Sequence, residues 1–360
     1  LKRLIEMKKR VAILGATGIV GQRFVHFLSD HPWFDLELVM ASERSAGKVY
    51  AEAVTWVLEK PMPKRAYELT LYPINVDLIA RERIDIVFTA LPPDAAKELE
   101  PQLAKKGIVV VSNASPMRLE PDIPLLNPEV NADHIDAIEV QRRNRGWSGA
   151  ILKVPNCTTA IATLSLKPLL DAFGIGKVVI ATMQALSGAG LTGVPSMLIL
   201  DNLIPYIEGE EEKVESESRK ILGEFNGSVI EVNNAISVTA SCHRVMVLEG
   251  HTEAIFVELK AEATIDEVIK AMEEFKGNKI KGMGLPTAPE KPIIVRREAD
   301  RPQPRLDRLE GNGMSVVVGR LREDKTLNGV KYVVLGHNTI RGAAGTGVLI
   351  AELLVKKGYV

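Results

Sequence analysis

Over residues 1–150, short apolar runs alternate with amphipathic stretches. "RVAILGA" (10–16) predicts a buried strand, and "IVGQRFVHFLSDHP" (19–32) a helix that stops near Pro32. "LELVMAS" (36–42), "RIDIVFTALP" (83–92) and "IVVVSNAS" (108–115) predict further strands. "PDAAKELEPQLAKKG" (93–107) carries a helical pattern between the last two. Apolar strands separated by helices imply a parallel sheet covered on both faces, a doubly wound α/β domain.

Beyond residue 150 the rhythm changes. Longer, partly alternating strands are predicted at 177–190, 228–241, 251–260, 314–324 and 331–338. Helices are predicted at 158–173, 195–207, 210–222 and 264–275. This reads as an α+β domain with a mixed, largely antiparallel sheet and helices on one face. The last helix (339–358) is apolar over several turns and is expected to pack back on the first domain. The division is then 1–150 completed by 339–360, and 151–338. The proline- and charge-rich loop 283–313 is expected to be exposed, and the basic "LKRLIEMKKR" to be an extension upstream of the first strand.

Composition narrows the chemistry. The chain of 360 residues has room for two domains, and its formal net charge of −1 offers no basic field for nucleic acid or membrane. Two cysteines, Cys157 and Cys242, are too few for a disulfide framework or a structural zinc site, so no metal is expected. A reducing cytoplasm follows, with one thiol kept for reactivity.

"GATGIVG" sets Gly15, Gly18 and Gly21 between the first strand and first helix. In that setting GxxGxxG is a variant of the dinucleotide fingerprint, which makes the first domain Rossmann-like. Gly15 would allow the tight turn and Gly18 the close approach of a pyrophosphate. Thr17, Ile19 and Val20 stand between the glycines as further cofactor contacts, and the helix start offers free N–H groups. At the end of the second strand, "ASERSAGK" supplies Ser42, Arg44 and Ser45, which suit a 2′-phosphate. That favours NADP. Glu43 can face the adenosine ribose instead and keeps NAD open.

Cys157 falls after "ILKVPN" and just before a helical pattern. The helix N-terminal field would lower its pKa, and Asn156 and Thr158 are suited to cap that end. A thiolate in a nicotinamide-binding protein suits covalent acyl chemistry: addition to an aldehyde, departure of hydride and a thioester left behind. The plain alternative is a buried small hydrophobe. His251 starts a strand after "LEG", seven residues beyond Arg244 at the end of the preceding strand. A short hairpin would bring base and guanidinium to one rim.

Seven motifs occur in order: "GATGIVGQ", "ASERSAGK", "NAS" then "MR", "PNCTTA", "MQALSGAG", "CHRVMVLEGHTEA" and "GHNTIRGAAG". On these the chain resembles the aspartate-β-semialdehyde dehydrogenases of the archaeal and fungal type, over nearly its whole length. The resemblance implies interconversion of L-4-aspartyl phosphate and NADPH with L-aspartate-4-semialdehyde, phosphate and NADP⁺, on the route to lysine, threonine, methionine and isoleucine. It implies Cys157 as nucleophile, His251 as general acid/base and Gln184 as a substrate-positioning residue. It implies Arg244 at the substrate carboxylate and Glu210 at its amine. Glu211 and Glu212 stay open as alternatives in "EEEK". Lys213, Arg118 and Asn113 would meet the phosphate, while Ser187, Gly188 and Asn338 would border the nicotinamide. A homodimer or homotetramer is implied, associating through the catalytic domain's sheet. The close rival is an acyl-CoA reductase on the same scaffold, such as malonyl-CoA reductase. N-acetylglutamyl-phosphate reductase and glyceraldehyde-3-phosphate dehydrogenase lie further off. A catalytically silent NADP-binding regulator is the rival from another class.

Overall fold

The computed structural model describes residues 8–277 and 280–360; most of the basic N-terminal extension lies outside them. Six parallel strands form the first sheet: β1 (Lys9–Leu14), β2 (Phe34–Ala41), β3 (Leu71–Pro73), β4 (Ile86–Thr89), β5 (Val109–Ser112) and β6 (Ala150–Lys153). Their order is β3-β2-β1-β4-β5-β6, so the chain reverses direction at β1, with crossovers on both sides. Ligands of doubly wound sheets bind at the strand carboxyl ends beside that reversal. β4, β5 and β6 are buried throughout and β1 from Val11 onward, as strands covered on both faces must be. The C-terminal helix Gly345–Lys357 joins this core: Val348, Leu349, Ile350, Leu353 and Leu354 pack in one cluster with Val11, Ile13, Phe24, Val111 and Leu152.

The second sheet begins with β7 (Ile175–Gln184). A two-stranded ribbon follows, β8 (Glu224–Phe225) with β9 (Ile230–Glu231), then β10 (Ser237–Arg244), β11 (His251–Leu259), β12 (Ile293–Val295), β13 (Val316–Asp324) and β14 (Gly329–Gly336). The order is β10-β7-β11-β14-β13-β12, with three antiparallel pairings and two parallel ones. β11 alternates buried and part-exposed along its length. The sheet's buried face meets the helices Cys157–Phe173, Glu210–Ile221 and Ile265–Glu274, and Ile255 and Val257 share one cluster with Ile161, Leu164, Val214 and Met272.

Several expectations are corrected. The strand expected at 228–241 is broken, because Asn233 turns the chain: its Oδ1 accepts from the Ala235 N–H at 3.0 Å. The helix expected at 195–207 shrinks to Ser196–Ile199; Asp201 sits at φ 55° and Pro205 follows. The first helix ends at Leu28, short of Pro32, where the Ser29 hydroxyl bonds back to the Val25 carbonyl at 2.6 Å. The loop 283–313 is not simply exposed, since its β-branched "IIV" pairs with β13 and buries Ile293. The final helix opens with a π-turn, Ile340–Ala344. The expected hairpin between Arg244 and His251 does not form. β7 lies between β10 and β11, and the 245–250 connection crosses its end, with the Leu186 N–H donating to Val247 at 2.7 Å.

Candidate active site

A cleft of about 350 Å³ runs from the glycine turn to Cys157, between the carboxyl ends of the first sheet and the Ser187–Gly188 turn. The turn is built as the spacing required. Gly15 has φ 82°, and a Cβ there would lie 2.5 Å from the Ala90 carbonyl. Gly18 is open, with nothing nearer than 3.8 Å to its Cβ position, which leaves a cradle for a pyrophosphate. Ile19 and Val20 line the cleft, while Thr17 lends its carbonyl to Gln22 Nε2 at 3.1 Å. Ser42, Arg44 and Ser45 lie outside the cleft, at the end of β2. There the exposed Arg44 has no ion-pair partner among the described residues. These residues fit a dinucleotide with a 2′-phosphate, and the adjacent Glu43 is also exposed.

Cys157 is the first residue of its helix. Asn156 Oδ1 caps that helix, accepting from the Thr158 and Thr159 N–H groups at 3.0 and 3.2 Å. Such a cap contributes about 1 kcal/mol. The sulfur lies 3.1 Å from His251 Nε2. Ala185 N–H donates to His251 Nδ1 at 3.0 Å, which leaves Nε2 to carry the ring hydrogen and aim it at the sulfur. Gly342, in the π-turn, presses close: a Cβ there would lie 2.5 Å from Cys157 Cβ.

The expectation of a depressed thiol pKa is corrected. Burial and then the nearby Glu210 push the thiol up to about 12, outweighing Arg244, the helix N–H of Thr158 and Arg118. Burial, then Arg244 and His337, push His251 down to about 3. The ligand-free pair is therefore thiol and neutral imidazole.

Strand register aligns the rest. Arg244 opposes Gln184, His251 opposes Gly336, and Thr252 opposite Met183 brings Gln184 beside His251. Arg244 donates to the Ala185 carbonyl at 2.6 Å, and a Cβ on Gly188 would fall 2.7 Å from its Nη1. Gln184 is buried and donates to Thr182 Oγ1 at 3.3 Å. Asn338 holds the roof, donating to Ser187 Oγ and accepting from the Gly250 N–H, both at 2.8 Å. Of the three glutamates, Glu210 reaches the cysteine's loop, accepting from Asn156 Nδ2 at 2.9 Å. Glu211 accepts from the Cys242 N–H at 2.9 Å, and Glu212 is exposed. Arg118 lines the cleft and donates to the Asn113 carbonyl at 2.7 Å. Asn113 Nδ2 turns to the Thr89 carbonyl at 3.4 Å. Lys213 is part-exposed and has no ion pair among the described residues.

Three features escaped the sequence reading. Glu217 joins Arg118 to the Asn156 main chain; its spacing of seven from Glu210 put both on one helix face, and that was the available signal. Buried Arg23 bonds both Glu59 oxygens at 2.8 and 2.7 Å and Glu249 at 2.7 Å, tying the first helix to the loop before His251. Glu59, Glu249 and His337 are the one trio with metal-ligand spacing among the described residues, and the guanidinium of Arg23 is already bonded to both carboxylates.

Glu253 is the third. It lies two residues along β11 from His251, level with Thr182 and Cys242, fully buried with neither oxygen partnered. Burial and then Glu210 hold its carboxyl well above the ordinary 4.5. The folded state thus keeps a proton that the unfolded chain loses, so this group's contribution to stability falls as pH rises past 4.5. Glu253→Gln removes that penalty. Its thermal midpoint should match wild type near about pH 4 and exceed it near about pH 8, by the equivalent of about 1–3 kcal/mol. Melting curves at both pH values check this; a gain that ignores pH contradicts it.

Residues 10–138 match the family model described as the semialdehyde dehydrogenase NAD-binding domain, and residues 166–341 match the semialdehyde dehydrogenase dimerisation domain. An aspartate-semialdehyde dehydrogenase from Archaeoglobus fulgidus is 53% identical, over 98% of this chain and 99% of its own. A malonyl CoA reductase (NADP) from Metallosphaera sedula is 42% identical, over 98% of each chain. The crystal structure of aspartate semialdehyde dehydrogenase with NADP from Candida albicans superposes with a TM-score of 0.89 at 41% identity, covering 98% of this chain and 100% of that one. With a glycine turn and a cysteine–histidine pair at the two ends of one cleft, and with relatives matched end to end, the chain belongs to the aspartate-semialdehyde dehydrogenase family.

Proposed function

We infer that the chain is an NADP-dependent oxidoreductase that reduces L-4-aspartyl phosphate to L-aspartate-4-semialdehyde and phosphate through an acyl-enzyme on Cys157. The observation that carries this is the 3.1 Å contact of Cys157 Sγ with His251 Nε2 at the end of the cleft that opens at the glycine turn. In the reductive direction the sulfur attacks the acyl carbonyl and the C–O bond to phosphate breaks, with Arg118 and Lys213 receiving the departing phosphate. NADPH, held by the glycine turn and Arg44, supplies the hydride when bound. His251 takes the thiol proton at attack and returns it as the C–S bond breaks. Taking that proton needs a bare Nε2, so Nδ1 must gain its hydrogen and part from the Ala185 amide. Arg244 pairs with the substrate carboxylate, with Gln184 beside it. Glu210 receives the ammonium, and Asn113, Ser187, Gly188 and Asn338 complete the phosphate and nicotinamide subsites.

The position of Glu210 favours an amino-acid substrate over an acyl-CoA, which has no ammonium to offer a carboxylate. Steady-state assays decide. Oxidation of aspartate semialdehyde with NADP⁺ should require inorganic phosphate, and malonyl-CoA should not be reduced by NADPH; the reverse outcome makes the chain an acyl-CoA reductase.

The part-exposed face of the second sheet, with Val179, Ala181, Ala254 and Phe256, would pair two copies as a homodimer or as half of a homotetramer. Among the described residues no helix is long and apolar enough to cross a membrane, and a cytoplasmic enzyme is the proposal.

A further inference from the structure

The carboxylate of Glu217 is used twice. Oε1 accepts from Arg118 Nη1 at 2.8 Å, and Oε2 accepts from the main-chain N–H of Asn156 at 2.7 Å. Glu217 is only 2% exposed, so neither bond is shared with bulk water. Asn156 caps the cysteine's helix and immediately precedes Cys157. Arg118 Nη2 goes to the Asn113 carbonyl, and its Nε–H is buried with no partner. The helix that carries Glu217, Glu210–Ile221, fixes the loop on which Arg118 stands. Lys220 Nζ donates to the carbonyls of Arg118, Glu120 and Ile123 at 2.8, 2.6 and 2.8 Å. Its first residue, Glu210, reaches the Asn156 side chain. One face of the helix Glu210–Ile221 therefore holds both the arginine and the cap of the nucleophile.

We propose that Glu217 is a positioning residue that ties the phosphate subsite to Cys157, one oxygen aiming the Arg118 guanidinium and the other seating the Asn156 amide. This rests on the reading of Arg118 as a phosphate ligand. A phosphate dianion at Arg118 competes with Glu217 for the same guanidinium. Whatever density Oε1 gives up strengthens the bond from Oε2 to the amide beside the sulfur, because hydrogen bonds that share one carboxylate polarise each other.

The test is steady-state kinetics in the phosphorylating direction, with inorganic phosphate, aspartate semialdehyde and NADP⁺ varied separately. Glu217→Gln keeps the shape but turns an NH₂ toward Arg118 or Asn156. It should raise the KM for phosphate about ten- to a hundredfold, the cost of losing a hydrogen bond to a charged group. The KM values for semialdehyde and NADP⁺ should stay within about twofold, since neither ligand meets Arg118. Glu217→Asp keeps the charge but is too short to span both partners, and should show the same selective rise; it carries the test if the glutamine variant does not fold. An unchanged phosphate KM, or an equal rise in all three constants, overturns the proposal. Arg118→Lys reports on the underlying reading. If it too leaves the phosphate KM unchanged, the phosphate assignment fails; if it alone raises that constant, the assignment stands and the coupling through Glu217 fails.

Discussion

Cys157→Ala should abolish turnover, lowering kcat by about four orders of magnitude or more, while NADPH still binds. The size follows from covalent catalysis: without the sulfur no acyl-enzyme forms, and binding energy alone supports only a residual rate. The sparing of the nucleotide follows from the cleft. The cradle at Gly15 and Gly18 is made of main chain at the opposite end from the sulfur. Alanine also fits the site, because Asn156 rather than Cys157 caps the helix. Phosphate-dependent oxidation and NADPH fluorescence titration check the two halves. Retained phosphate-dependent turnover would falsify the covalent role.

His251→Asn should lower kcat by about 10²–10⁴-fold, the usual value of a placed acid–base group. Asparagine can keep the acceptor for the Ala185 amide, so the roof of the cleft stays in place and the loss reports on Nε2. The charge state of the pair is testable in the wild-type enzyme. With the thiol up at about 12 and the imidazole down at about 3, the free enzyme holds almost no thiolate near neutrality. Alkylation of Cys157 by iodoacetamide should therefore climb about tenfold per pH unit from about pH 7 to about pH 10. A rate already level at neutral pH would mean that the ion pair pre-exists.

The parts of the site that the sequence made legible are those in which local spacing dictates geometry. The glycine turn requires a positive φ at Gly15, and only a strand–turn–helix context gives that spacing its meaning. Cys157 at a helix start could be read from the break after "VPN" and the helical period that follows. What needed three dimensions was misread or missed. Arg244 and His251 are near in sequence and looked like hairpin partners, but β10 pairs in parallel with β7, and nothing local encodes which strand becomes the neighbour. The thiol's pKa was misjudged because a helix end is visible in sequence and burial is not. Glu217 was hidden in "EEEKVESESRK", which reads as a solvated charged face until Arg118 and Asn156 are found against it.

The placement of Gly345–Lys357 has a consequence for synthesis. The nucleotide-binding half is encoded first, yet Leu349, Leu353 and Leu354, which complete its interior, leave the ribosome only after the whole second sheet. A nascent chain must therefore carry a half-finished fold, its apolar surface uncovered, until Gly345–Lys357 has emerged. A chain shortened by that final segment loses the cofactor's platform even though every residue that would touch the cofactor is present.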